Sequence, residues 1–323
     1  MSASNSISNK ILRVTLLCFL CFNYYYVQGL EGHNFLSKSI KIDKKLESRI
    51  NDLIKNFEGD VGIFVHHFPT GREVAIRADE LFPTASMIKV PIMLTLFDKI
   101  NSGELDYHGK QIYRDSLLYE GEDILGSFKD GESIALNKLV LLMITTSDNT
   151  ASLWCQHLAG TGENINGWLS ENGFENTRVN SRTPGRRGDW EEYGWGQTTP
   201  REMAGLVSII REGKAVSRDA SEEMYRVLCN IYWNGEALSQ IPPYVQAASK
   251  QGAVNLSRSE VVLVNAPSGD YVFCIITKNQ KDESWEYGNE GFQLIRNVSK
   301  LLWVYFEPDS NWKPAKGAEN WAK

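Results

Sequence analysis

A serine and a lysine stand three residues apart in PTASMIKVPIMLTLF, Pro83 to Phe97, where an apolar run begins. If the run is helical, Ser86 and Lys89 share a face and their side chains can touch. That sets a nucleophile beside a base able to accept its proton. A chain of this length holds about one Ser-x-x-Lys by chance, so the pair alone decides nothing. The same residues also read as an ordinary helix start, with Thr84 or Ser86 as cap, the apolar residues in a core and Lys89 in solvent. Two other short segments bear on the choice. Ser147-Asp148-Asn149 lies between the apolar helices NKLVLLMITT and TASLWCQHLA, and Lys250-Gln251-Gly252 precedes Ala253 at a strand. Taken singly, the first is a well-capped turn and the second carries almost no information.

Bringing three distant segments together requires a fold, and the periodicities outline one. Leu46, Ile50, Leu53, Ile54 and Phe57 recur at helical spacing, with a stop expected at Gly59. VGIFVHHF and EVAIRA flank the turn Pro69-Thr70-Gly71-Arg72, and VVLVNA and YVFCIITK flank Pro267-Ser268-Gly269-Asp270, which makes two antiparallel hairpins. Leu294, Val298, Leu301 and Tyr305 mark a closing amphipathic helix. From Ser86 to about Leu238 the pattern is mainly helical. The expected fold class is α/β, in the sense of an α+β sandwich: an antiparallel sheet built from both chain ends, flanking helices, and an inserted all-helical subdomain over about 84–240. His66 and His67 adjoin on one strand and point to opposite faces, so they share no site. His157 reads as a packed or surface residue.

The chain has 323 residues, 42% of them hydrophobic, and a net charge of -6. That is ample for a core and gives no footprint for nucleic acid or an anionic membrane. The expected partner is a small molecule or a wall fragment, and a monomer is expected. No His-Glu-x-x-His or paired-cysteine ligand set is present, so neither a metal nor another cofactor is expected; no Gly-x-Ser-x-Gly elbow points to a Ser-His-Asp triad. Residues 1–29 carry Lys10, Arg13, the apolar VTLLCFLCF and a Val27-Gln28-Gly29 end, which reads as a signal peptide and implies a periplasmic or extracellular protein. A linker over 30–44, a domain over 45–308 and a tail over 309–323 complete the expected organisation. Of the five cysteines, Cys155, Cys229 and Cys274 lie beyond the export segment. Burial is expected for all three, with room for one disulfide in an oxidising compartment.

Ser-x-x-Lys, Ser-Asp-Asn and Lys-x-Gly, in that order and on helix, loop and strand, resemble the serine beta-lactamases and penicillin-binding proteins. The likeness runs from about Leu46 to Phe306. LYEGEDILGSFKDGESIALNKLVLLMITTSDNTASLW and TTPREMAGL look most like the class A branch. The resemblance implies Ser86 as nucleophile, Lys89 as proton acceptor, Ser147 as proton relay to the leaving nitrogen, and Asn149 as a hydrogen-bond partner of the substrate amide. It further implies an oxyanion site between the N–H groups of Ser86 and Ala253, following Gly252, with Lys250 and Arg258 facing a substrate carboxylate. Gln251 stands where a small hydroxyl residue is usual. Thr183 falls where the family's deacylating glutamate belongs and Arg187 where its asparagine belongs; Asp189, Glu191 and Glu192 are the nearby carboxylates that could stand in. The function so implied is an exported serine hydrolase that forms an acyl-enzyme on Ser86 and hydrolyses a beta-lactam or related amide or ester, with slow deacylation. Its rivals are a D-alanyl peptidase-like wall hydrolase and a penicillin-binding sensor that acylates without turnover.

Overall fold

The computed structural model describes residues 41–121 and 123–321; the expected signal peptide and most of the linker lie outside them. Along the chain come β1 (Lys41–Ile42), α1 (Lys44–Ile54), β2 (Asp60–His67), β3 (Arg72–Ile76) and β4 (Phe82–Pro83), followed by α2 (Lys89–Asn101), β5 (Lys110–Ile112) and β6 (Ser133–Ala135). Next are α3 (Leu136–Leu141), α4 (Asn149–Leu158), α5 (Thr161–Glu171), β7 (Arg178–Val179), α6 (Arg187–Tyr193) and β8 (Gly196–Thr198). The chain ends with α7 (Pro200–Arg211), α8 (Arg218–Leu228), β9 (Ala247–Val254), β10 (Ser257–Val264), β11 (Tyr271–Lys278) and α9 (Glu290–Phe306).

The main sheet has six strands in the order β1-β3-β2-β11-β10-β9, so its middle joins β2 from the start of the domain to β11 from its end. Both expected hairpins form, β2 with β3 and β10 with β11, and only the short β1 runs parallel to its neighbour. The sheet is covered on both faces, which is why its strands read as near-continuous apolar runs. On one face α1 and α9 cover Ile63, Val65, Val262 and Phe273, adding Ile50, Val298 and Leu302 to that core. On the other, Phe64, Val261, Leu263, Cys274 and Ile276 join the larger core shared with the helical middle. Each such side chain contributes roughly 1.5–3 kcal/mol on burial.

Two expectations need adjustment. Helix α1 begins where Asp43 accepts the Leu46 N–H at 3.1 Å, but it ends at Ile54 rather than Gly59. The Phe57 N–H turns back to the Ile54 carbonyl, and Phe57 packs into the core from that turn, which extends the apolar period past the helix. The inserted region is helical for the most part, yet it also carries the small sheets β4-β8-β7 and β5-β6, and its α7 packs onto the main sheet. Cys155 and Cys274 are buried, Cys229 is half-buried, and all three are free thiols.

Candidate active site

Helix α2 is apolar nearly all round, with Lys89 through Phe97 buried, so it runs through the core rather than along the surface. A 3-10 turn over Ala85–Ile88 leads into it and leaves Ser86 half-buried at its mouth. Ala85 has a φ of 44° and Ser147 one of 61°, positions costly for residues with a Cβ, on the order of 1–3 kcal/mol each. Of the six non-glycine residues with positive φ among the described residues, these two lie at or next to the serines that the motifs singled out. Ser147 follows a π-helical turn over Leu142–Thr146 and precedes α4, which Asp148 caps by accepting the Ala151 N–H at 2.7 Å. The other Asp148 oxygen takes the Leu125 N–H at 3.0 Å. Asp123 accepts the N–H groups of Asn149 at 2.8 Å and Thr150 at 2.9 Å. These two carboxylates fix the loop that presents Ser147.

The three segments converge on Lys89. Its Nζ lies 3.1 Å from Ser86 Oγ, 3.0 Å from Ser147 Oγ, 2.5 Å from the Ser147 carbonyl and 2.8 Å from Asn149 Oδ1. Burial pushes the Lys89 ammonium down to about 7, against the pull of Asp123 and Asp148. A neutral amine has two protons and one lone pair. The Ser147 carbonyl and Asn149 Oδ1 can only accept, so they take the two protons and leave the lone pair for the Ser86 hydroxyl. Lys250 Nζ approaches the same relay, 3.2 Å from Ser147 Oγ. It is held well below the usual ammonium range by burial and by Lys89, with Glu260 opposing.

Gly252 explains why a strand can lie against Ser86. A Cβ there would sit 2.6 Å from the Thr84 carbonyl oxygen and 2.9 Å from the Ser86 nitrogen. In the β9–β10 ladder Ala253 faces Arg258, whose N–H goes to Thr277 Oγ1 at 2.8 Å and whose carbonyl accepts from the same hydroxyl at 3.2 Å. Arg258 thus turns its backbone toward β11. Its partner's N–H and carbonyl must then point out of the free edge of β9. The Ala253 N–H is available beside that of Ser86, an arrangement suited to a developing oxyanion.

Arg258 is a correction. Its side chain lies on the face of the sheet covered by α9, fully buried, with the guanidinium between the rings of Trp285 and Phe292. It donates to the carbonyls of Val254, Ser257 and Ser284. Pairing opposite Ala253 gives it the parity of the wrong face for a substrate ligand. Thr183 is turned inward: its hydroxyl donates to the Ser181 carbonyl at 3.0 Å, and a Cβ on Gly162 of α5 would collide with it. Arg187 pairs with Glu191 at 3.0 Å, and Arg186 with Asp189 at 3.2 Å, on exposed α6. Glu192 is hydrogen-bonded to Tyr193. Beside this loop is a cavity of about 600 Å³ lined by Tyr119, Leu153, Thr183, Trp190 and Trp195, among others. His157 is exposed on α4. Among the described residues no group of three or more His, Cys, Asp and Glu side chains is placed to hold a metal ion.

Sequence reasoning passed over Asp123 and Glu260. Glu260, fully buried behind β9, accepts from Ser249 Oγ at 2.6 Å and the Ala237 N–H at 2.9 Å, and burial raises it to about 7. A charged residue inside VVLV-flanking strand sequence was the available signal for Glu260. Asp123 lies in a loop with no periodicity to mark it.

Fold and site together are those of a serine hydrolase, with a lysine rather than a histidine beside the candidate serine. Residues 45–306 match the model of the beta-lactamase enzyme family, and the chain belongs to that family. It is similar to beta-lactamase VEB-1 of Pseudomonas aeruginosa, 20% identical over 272 residues that cover 81% of this chain and 90% of that protein. Its likeness to beta-lactamase AER-1 of Aeromonas hydrophila is 25% over 246 residues, covering 74% and 80%. Among solved structures it resembles PBP-A at 25% identity, with a TM-score of 0.74 over 83% of this chain and 98% of that one. A PBP-A mutant solved as an acyl-enzyme complex with penicillin G gives the same TM-score at 24% identity.

Proposed function

We propose that this is an exported hydrolase that opens a beta-lactam or related amide or ester through an acyl-enzyme on Ser86 and releases the acyl group slowly. The observation that carries the reading is Lys89 Nζ lying 3.1 Å from Ser86 Oγ and 3.0 Å from Ser147 Oγ in a site that favours its neutral form. Lys89 takes the Ser86 proton as the oxygen attacks the carbonyl, whose oxygen gathers charge between the Ser86 and Ala253 N–H groups. The proton passes through Ser147 Oγ to the leaving nitrogen or oxygen. Lys250 steadies Ser147 during the transfer.

Release of the acyl group needs an activated water, and a threonine hydroxyl cannot serve as general base. The position that the resemblance assigns to a glutamate is Thr183, and the neighbouring carboxylates are in ion pairs or bound to Tyr193. Supporting export is only the charged and apolar start of the chain; N-terminal sequencing of the mature protein from its host, expected to begin near Leu30, tests it.

Intact-protein mass spectrometry after mixing with a penicillin, with Ser86→Ala in parallel, tests acylation: the adduct should persist in the unmodified protein and vanish in the variant. An undiminished adduct on Ser86→Ala would sink the mechanism. For deacylation, the double variant Thr183→Glu, Arg187→Asn should speed adduct loss, because a lost general base typically costs about two to four orders of magnitude. Rapid turnover by the unmodified protein, with no adduct, would show that another base is at work.

A further inference from the structure

We propose that the cleft between the C-terminal tail and the segment leading into β9 binds an acidic glycan, a short chain of pyranose rings that carries carboxylates. The cleft lies outside the serine site, and the inference does not rest on Ser86 chemistry.

Beyond α9, Trp312, Lys313 and Trp321 of the tail line a cleft of about 1000 Å³ together with residues between 226 and 247. Small-ligand sites span about 300–1,000 Å³, so this one has room for a short oligosaccharide rather than a single ring. Its flat surfaces are the rings of Trp312, Trp321 and Tyr244, the last two 84% and 74% exposed. Among the described residues no aromatic or cationic side chain stacks on any of the three. The polar lining consists mainly of amides and cations. Asn234 and Gln246 make no side-chain hydrogen bond among the described residues, and Asn230 uses only its amide nitrogen, on the Arg226 carbonyl at 2.7 Å. The Arg226 and Lys313 side chains have no partner among them either. No Asp or Glu lines the cleft, in a chain whose net charge is -6. Glu236 and Glu319, close in sequence to lining residues, are not part of its wall.

Each part of that lining suits a different part of a sugar. A pyranose has apolar C–H faces, which lie well on aromatic rings, and a rim of hydroxyls that both donate and accept. An amide side chain also does both, which matches it to hydroxyls as neither an ammonium nor a carboxylate is matched. A hydrocarbon ligand would cover these amides without giving them partners, at about fivefold or more in affinity for each. Two unpaired cations in a cleft without acids favour an anion, and a ring-borne carboxylate supplies the charge while leaving the stacking face intact. The wall continues through Gln246 and Ala247 into β9, where Ala247 precedes Lys250 by about 10 Å of extended strand. A glycan held in the cleft therefore lies alongside the strand that bounds the serine site.

The test uses two tetrasaccharides: chitotetraose, which is neutral, and the alternating N-acetylglucosamine–N-acetylmuramic acid tetramer with its lactyl carboxylates free. Neither holds a strained or activated amide or ester, so the unmodified protein serves, and titration calorimetry with tryptophan fluorescence follows binding. The acidic tetramer should bind about tenfold or more tighter than chitotetraose at low salt, and the margin should shrink at about 0.5 M salt. Trp321→Ala and Tyr244→Ala, both at exposed positions outside the core, should each weaken binding about fivefold or more. The double variant Arg226→Gln, Lys313→Gln should remove the margin and leave chitotetraose binding as it was. No measurable binding of either tetramer, or equal affinity for the two, overturns the inference. Binding that neither aromatic variant weakens overturns it too, because the glycan is then held elsewhere. None of these outcomes bears on whether Ser86 is acylated, which the mass adduct decides separately.

Discussion

Removing the Lys89 amine tests the base and its unusual environment in one experiment. Burial brings this lysine from 10.5 to about 7. About one eleventh of it is then neutral at pH 6 and about ten elevenths at pH 8, so acylation of Ser86 should rise about tenfold between those values and level off. A lysine left at its ordinary value would give a rate that climbs tenfold per pH unit up to about pH 10. Stopped-flow acylation by a chromogenic cephalosporin separates the two profiles. Lys89→Met should lower the rate by about two to four orders of magnitude and remove the limb near pH 7. The same shift sets a stability effect. The unfolded chain keeps this proton up to about pH 10.5 while the folded chain releases it near 7, so the unfolded state binds more protons in that window and stability rises with pH there. The shift of about 3.5 units at 1.36 kcal/mol each caps the cost of neutralising the amine near 5 kcal/mol at pH 7. Lys89→Met should therefore be a few kcal/mol more stable at pH 7, after loss of its carbonyl contacts, and the gain should shrink toward pH 10. A rate that keeps climbing above pH 9, or a limb near pH 7 that survives in Lys89→Met, refutes the assignment of Lys89 as base.

Gly252→Ala should lower acylation by about a hundredfold or more, because its Cβ would press on the Thr84 carbonyl oxygen and the Ser86 nitrogen and shift a donor of the oxyanion site; stopped-flow acylation measures it, and a normal rate would show that β9 does not hold that donor. Arg258→Leu should lower the denaturation midpoint by leaving carbonyls of Val254, Ser257 and Ser284 without their donor, at about 1–3 kcal/mol each if buried. Its acylation rate per folded molecule should stay within about threefold of the unmodified protein, and a large loss with an intact fold would return Arg258 to the site.

Much of the fold follows from periodicity. Both hairpins, the closing helix α9 and the helical middle come from strictly local patterns, and Ser86, Lys89 and Ser147 come from motif order and the resemblance. What escaped were features set by parity and by distant partners. The resemblance puts Arg258 at the substrate carboxylate, but the register of β9 on β10 turns it to the α9 face, between Trp285 and Phe292. Asp123 works through the backbone of Asn149 and Thr150, and no local pattern marks such a residue. The π-helical turn before Ser147 keeps the apolar spacing of NKLVLLMITT close enough to helical that sequence alone does not reveal it. The hydrogen bond from Lys250 to Gln251 Oε1 is invisible until the rotamer is known.

The centre of the sheet has a consequence for how the molecule comes into being. Asp60–His67 pairs with Tyr271–Lys278, partners separated by roughly 200 residues, and closing a loop of that length costs about 5 kcal/mol in chain entropy before any ladder bond repays it. The early hairpin therefore has no partner along one edge until the last third of the chain has been made. At about 5–20 residues per second, that leaves an interval of roughly 10–40 s in which VGIFVHHF stays open to solvent and to other chains. During synthesis the polypeptide is thus an unfinished domain for most of its length, and the native sheet can close only after β11 has emerged.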